Sequence, residues 1–147
     1  MKTIVITGGT DGIGRALAQV YLKRGDRVVV VGTSEAKGQV FLEDARQLGA
    51  DERASFVRAD LELIDENTRL VDRLSAELDQ VDVLVLGARY FRSARVETAD
   101  GTESNFAPSY LSRFLLPAWA VPSRRTGTTF SSEGTIRAFP RWFTRGS

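Results

Sequence analysis

Eight consecutive residues near the start, Thr7-Gly8-Gly9-Thr10-Asp11-Gly12-Ile13-Gly14, constrain the fold of this chain more than any other feature. They follow a β-branched run over residues 3–6 and lead into Ile13, Leu17, Val20 and Tyr21 at helical spacing, so the loop joins a buried strand to a helix that stops near Gly25. The first amides of a helix have no intrahelical acceptor and carry partial positive charge, and glycines let a phosphate reach them. Larger side chains would keep it out. In this strand-loop-helix context the loop reads as a phosphate-binding turn, with Gly8, Thr10, Gly12, Ile13 and Gly14 as its contact residues.

The same alternation continues along the chain. Residues 28–31 form a second apolar run closed by Gly32, and Ser34 is a suitable N-cap for a helix whose face is Phe41, Ala45 and Leu48 and which stops near Gly49. Residues 54–58 read as a third strand, Leu70, Val71, Leu74 and Leu78 stripe a third helix, and residues 81–86 form a fourth strand. Phe106, Tyr110, Leu111, Phe114 and Leu115 mark a fourth helix, which Pro117 is expected to end. Strands alternating with helices imply right-handed βαβ crossovers, and so an α/β fold: a parallel sheet in the order 3-2-1-4 with helices on both faces.

A chain of 147 residues, 42% hydrophobic, suffices for one ordinary domain. Its formal net charge of +1 gives no reason to expect nucleic acid or an anionic membrane as partner. Without cysteine there is no disulfide or thiolate zinc site, and without histidine the usual general base is missing, so no metal site and no Ser-His-Asp chemistry are expected. The apolar opening is only a strand long, and no later stretch reaches membrane-spanning length, so a cytoplasmic location is expected.

Beyond the fourth helix the pattern fails. From Pro117 onward stand five arginines against one acid, three of the four prolines and both tryptophans, with neither strand nor helix periodicity. Residues 1–116 are thus expected to form the nucleotide-binding domain and residues 117–147 an irregular tail. Three accounts of the tail stay open: a loop-rich extension, a short strand over residues 128–130 with ragged flanks, or a non-native end produced by truncation or a change of reading frame.

Thr7, Gly8, Gly12, Ile13 and Gly14 stand in the spacing TGxxxGIG, one residue longer than G-x-G-x-x-G. In this the chain resembles the short-chain dehydrogenase/reductase family, whose fold is a doubly wound Rossmann sheet and whose cofactor is NAD or NADP. The resemblance covers residues 1–116. It continues through Asp60-Leu61, placed where the family's acid after the third strand holds the adenine ring. It ends in the segment from Asn105-Phe106 to Leu116, which is similar to the family's N-x-x-G-x-F-L-L phrase. Leu86-Gly87-Ala88-Arg89 stands where the family has Asn-Asn-Ala-Gly, with Ala88 in register and Arg89 in place of a glycine. The resemblance implies a dinucleotide held along the glycine loop, Asp60, Leu61, Gly87 and Ala88.

The end of the second strand decides between the two cofactors. A carboxylate there accepts hydrogen bonds from the ribose 2′-OH, whereas a 2′-phosphate needs cations and donors. The sequence Gly32-Thr33-Ser34-Glu35-Ala36-Lys37 offers Thr33 and Ser34 as donors and Lys37 as a cation, with Arg15 able to reach across from the first helix. Glu35 opposes this only if it points inward, and an acid in a first helical turn is also a dipole complement. NADP is favoured, with NAD as the alternative.

The resemblance also implies a tyrosine that exchanges the proton at the carbonyl oxygen, assisted by a lysine four residues later, a serine and an asparagine. A phenol near pKa 10 needs such a cation to act as a base at neutral pH. Four residues beyond Tyr21, Tyr90 and Tyr110 stand Gly25, Ala94 and Phe114, and the lysines are Lys2, Lys23 and Lys37. Asn105 alone is retained as a catalytic relic, and Ser131 and Ser132 read as loop residues. The sheet is therefore expected to be incomplete relative to the family. Three functions follow as expectations: an NADP-dependent oxidoreductase acting on a carbonyl or alcohol, a truncated and inactive nucleotide-binding relic, or a cofactor-sensing module. Self-association through an exposed edge at the fourth strand is also expected.

Overall fold

The computed structural model describes residues 1–89, 96–101, 103, 104, 106, 109, 110 and 112–120. Four strands and four helices alternate: β1 (Thr3–Thr7), α1 (Gly12–Lys23), β2 (Arg27–Gly32), α2 (Glu35–Gln47), β3 (Ala54–Arg58), α3 (Ile64–Glu77), β4 (Val83–Leu86) and α4 (Ser112–Ala120). A short 3-10 turn, Asp51–Arg53, precedes β3. All strand pairs are parallel and the order is β3-β2-β1-β4, as the alternation predicts.

Register explains why these strands are continuous apolar runs rather than alternating ones. Val5 lies between Val29 and Leu84, and Val29 lies beside Ser55. On one face Val5, Val29, Val31 and Val57 pack with Leu70, Val71 and Leu74 of α3 and Leu116 of α4. On the other, Ile4, Ile6, Val28 and Val30 pack with Ala18 and Leu22 of α1 and Phe41 and Ala45 of α2. A strand covered on both sides has no polar face to display. Each fully buried side chain of this kind contributes about 1.5–3 kcal/mol.

Helix ends follow local chemistry. Asp11 caps α1, its carboxylate accepting from the Gly12 amide at 2.8 Å, and Ser34 caps α2 by accepting from the Lys37 amide at 3.3 Å. Gly25 and Gly49, just past the two helices, take positive φ as helix-ending glycines do.

Two expectations about helix faces are corrected. On α1 the buried residues are Ala18 and Leu22, while Ile13 is 90% exposed and Val20 is exposed as well. Leu17 and Tyr21 of the expected face do pack, half-buried, against the core beside Ala18 and Leu22, so the face is shifted rather than lost. On α4, Pro117 does not end the helix, which runs on to Ala120. Packing outweighs the lost hydrogen bond: Leu116 is fully buried and the Trp119 indole donates to the Ser75 hydroxyl of α3 at 2.6 Å. Of the predicted stripe, Phe106, Tyr110 and Phe114 are exposed, the first two with rings stacked 5.0 Å apart. Leu111, Asn105, the serines at 131 and 132, and the expected strand over 128–130 lie outside the described residues. Among the described residues no helix is long and apolar enough to cross a membrane.

Candidate functional site

The carboxyl ends of the four strands meet the start of α1 in a crevice of about 450 Å³. This is the position at which open parallel sheets bind ligands, because helix N-termini and strand-end loops converge where the strand order reverses. Apart from Arg15, every residue expected from the sequence to touch a dinucleotide lines this cavity. Gly8, Thr10, Gly12, Ile13 and Gly14 form its floor, Thr33, Ser34 and Lys37 one side, Asp60 and Leu61 another, and Gly87 and Ala88 the far wall.

The glycines do different work. Gly8 has φ +71°, and a side chain there would lie 2.8 Å from the Ala88 nitrogen. Gly14 is the tightest: a Cβ would sit 2.2 Å from the Gly8 carbonyl oxygen. Gly12, at φ +48°, would place a Cβ in open space, and it lines the crevice. The first helical bond is Arg15 N–H to the Asp11 carbonyl at 3.1 Å, so the amides of Ile13 and Gly14 precede any intrahelical partner. Ile13 projects its side chain outward at the crevice mouth.

The far wall is tied to the floor. The buried Thr7 hydroxyl donates to the Val85 carbonyl at 3.4 Å and accepts from the Ala88 amide at 3.2 Å, while the Gly87 amide donates to the Thr7 carbonyl at 3.0 Å. Arg89, in the position of the family's glycine, lines the cavity as an exposed cation.

At the end of β2 the structure separates the candidate cations. Lys37 lies in the crevice and its ammonium pairs with the Asp11 carboxylate. The Lys37 hydrogen bond, then the Gly12 amide, hold Asp11 below its usual pKa near 3.8. Arg15 does not reach across. Its guanidinium pairs with Asp44 of α2, Nε to Oδ2 at 2.7 Å, where Gln19 also donates, and it is not among the lining residues. Glu35 is exposed and accepts from Gln39 one turn on, at 2.9 Å, as a helix-start acid does.

Asp60 is half-buried, its carboxylate accepting from the Glu62 amide at 3.0 Å. Leu61 is buried, so what it offers the crevice is main chain. Fully buried Asn67 of α3 holds this segment, its amide nitrogen donating to the Leu61 carbonyl at 3.0 Å and the Leu63 carbonyl at 2.7 Å. Sequence reasoning missed Asn67, and missed Asp11 and Arg89 as lining residues. Asp11 had a signal, an acid directly before a helix, and Arg89 had another, a charge in place of the family's glycine.

Residues 2–115 match the family model of the short chain dehydrogenases. The chain belongs to the short-chain dehydrogenase/reductase family. It is 32% identical to mouse retinol dehydrogenase 13 over 115 residues, which is 78% of this chain and 34% of that protein. It is 34% identical to oxidoreductase calI of Penicillium decumbens over 132 residues, 87% of this chain and 38% of that one. The chain thus spans about a third of the length of these curated relatives. Among solved structures it is similar to a short-chain dehydrogenase from Sphingobium yanoikuyae in complex with NADPH, with a TM-score of 0.69 at 23% identity, covering 82% of this chain and 47% of that one. A short chain dehydrogenase/reductase family protein aligns with a TM-score of 0.64 at 30% identity, covering 81% and 48%.

Proposed function

We propose that this dehydrogenase-family chain binds a nicotinamide dinucleotide in the crevice, NADP in preference to NAD, as the cofactor-holding part of an oxidoreductase that acts on a carbonyl or alcohol. The observation that carries this reading is the convergence of the glycine loop, the β2 end, Asp60-Leu61 and Gly87-Ala88 on one cavity. The cavity suits the group: a Cβ at Gly12 would meet nothing within 4 Å, and the Ile13 and Gly14 amides, which precede the first helical bond, would be available to a ligand that brings its own negative charge. Thr33 and Ser34 would donate to the ribose, Lys37 would add charge for a 2′-phosphate, and Asp60 would meet the adenine. When bound, the nicotinamide supplies the hydride acceptor or donor.

Support for NADP comes from the donors at the β2 end, from the engagement of Glu35 by Gln39, and from structural relatives solved with NADPH, the Sphingobium enzyme and a metagenomic blue fluorescent protein. Calorimetry with NADP and with NAD tests it. Saturable binding of both, tighter for NADP, is expected; no heat with either would overturn the reading.

A second reading, in which these 147 residues hold the cofactor but turn over no substrate, is favoured by the lack of any Tyr-x-x-x-Lys in the sequence. Without it a carbonyl oxygen has no positioned proton donor of that kind. Absorbance of the reduced nicotinamide with a panel of aldehydes and ketones separates the two: turnover supports the first, a flat trace with binding intact the second.

A further inference from the structure

We propose that Asp11 sets how strongly the chain prefers NADP, by holding the Lys37 ammonium that a ribose 2′-phosphate would recruit; the inference rests on the dinucleotide reading of the crevice. Lys37 lies in the first turn of α2, one helical turn past the end of β2, where the adenosine ribose lies in sheets of this kind. The Asp11 carboxylate is fixed at both oxygens. Oδ1 accepts from the Gly12 amide at 2.8 Å, and Oδ2 takes the Lys37 ammonium, bridging the starts of α1 and α2. Because the cap orients the carboxylate before it meets the lysine, pairing orders one long side chain rather than two.

The other cations on the β2 side do not relieve this, and Arg89 belongs to the β4 end of the crevice, across β1. Arg15 is committed to Asp44. Arg58 donates to the Thr33 carbonyl at 3.3 Å from a separate shallow cavity that it shares with Asp60 and Glu66, so acids flank its charge. A 2′-phosphate entering the crevice therefore competes with Asp11 for Lys37 and is itself repelled by that carboxylate. NAD, with a hydroxyl at that position, does not compete for Lys37 and shares with NADP only the carboxylate's repulsion of the pyrophosphate.

Calorimetry on the full chain, unaltered and as Asp11→Asn, Lys37→Met and the double variant, tests this with NADP and NAD as ligands. Asparagine still caps α1, so Asp11→Asn keeps the fold, and an unchanged circular dichroism spectrum checks it. Asp11→Asn is expected to tighten NADP about two- to fivefold more than it tightens NAD, the range of an exposed ion pair. In the Lys37→Met background most of that gain should vanish. Equal tightening of both cofactors, no change in either, or a full gain without Lys37 overturns the role given to Asp11 while leaving the crevice a dinucleotide site. Absence of binding by the unaltered chain takes down both.

Discussion

Gly14 leaves no room for a side chain against the Gly8 carbonyl, 2.2 Å from where its Cβ would stand, whereas Gly12, two residues earlier, faces open space. The two positions therefore divide the cost of a methyl differently. Gly14→Ala must push the loop off the helix and is expected to lower stability by about 1–3 kcal/mol, as overpacking does. Gly12→Ala pays only for its left-handed backbone, about 1–2 kcal/mol, and obstructs the crevice. Thermal melts with nucleotide titrations should show Gly12→Ala folded with cofactor binding weakened at least tenfold. Unimpaired binding by that variant would count against the loop as the phosphate site.

Asn67 is a polar residue at the core end of α3, and the strands and helices above it would tolerate a hydrocarbon there. Its amide nitrogen is accounted for by the Leu61 and Leu63 carbonyls, while its Oδ1 is buried without a hydrogen-bond partner among the described residues. Asn67→Ala is expected to cost about 1–3 kcal/mol by leaving buried acceptors short of donors. Because those carbonyls flank the Asp60-Leu61 wall, the cofactor dissociation constant should rise too, measured at a temperature where the variant is fully folded. A loss of stability with no change in binding would confine Asn67 to packing.

Acid should act on the α1 cap. Lys37 and the Gly12 amide keep the Asp11 carboxyl below its ordinary value near 3.8, and Arg46, then Gln47, keep Glu43 below 4.5. A depressed carboxylate adds stability that is complete above the unfolded value and is lost as pH falls through the folded one. Melting temperatures of the unaltered chain and Asp11→Asn are thus expected to differ at neutral pH and to converge as pH drops below about 4. Both groups are exposed, so the effect is small and salt should shrink it. Parallel curves down to acid would contradict it.

Among the described residues nothing pairs with the outer edge of β4, whose side chains are only half-buried. Open parallel edges of apolar residues recruit further strands. Light scattering on the isolated 147-residue chain is expected to show a mass that grows with concentration; a monomer at all concentrations would refute edge pairing.

Much of the fold was legible because its signals are local. Unbroken apolar runs such as residues 3–6 and 28–31 announce buried parallel strands, and Ser34 marks the start of α2. The lining of the crevice was legible for the same reason, since glycines and strand ends state their positions along the chain. What escaped was rotation and long-range pairing. On α1 the spacing placed Leu17 and Tyr21 on the packed face but missed Ala18 and Leu22, which carry the burial. Arg15 was expected at the cofactor, yet its partner Asp44 lies 29 residues away, and Asn67 meets its acceptors only once α3 has docked. The end of α4 escaped because Trp119 finds Ser75 across 44 residues, a contact no local rule about proline contains.

The Thr7 hydroxyl, buried and bonded to both Val85 and Ala88, makes the seam between the first and fourth strands a closed one. Prying that seam open would strand a hydroxyl and an amide together, away from water. A dinucleotide bound as proposed would therefore enter past exposed side chains of the lining such as Ile13 and Lys37 rather than through a parting of these strands.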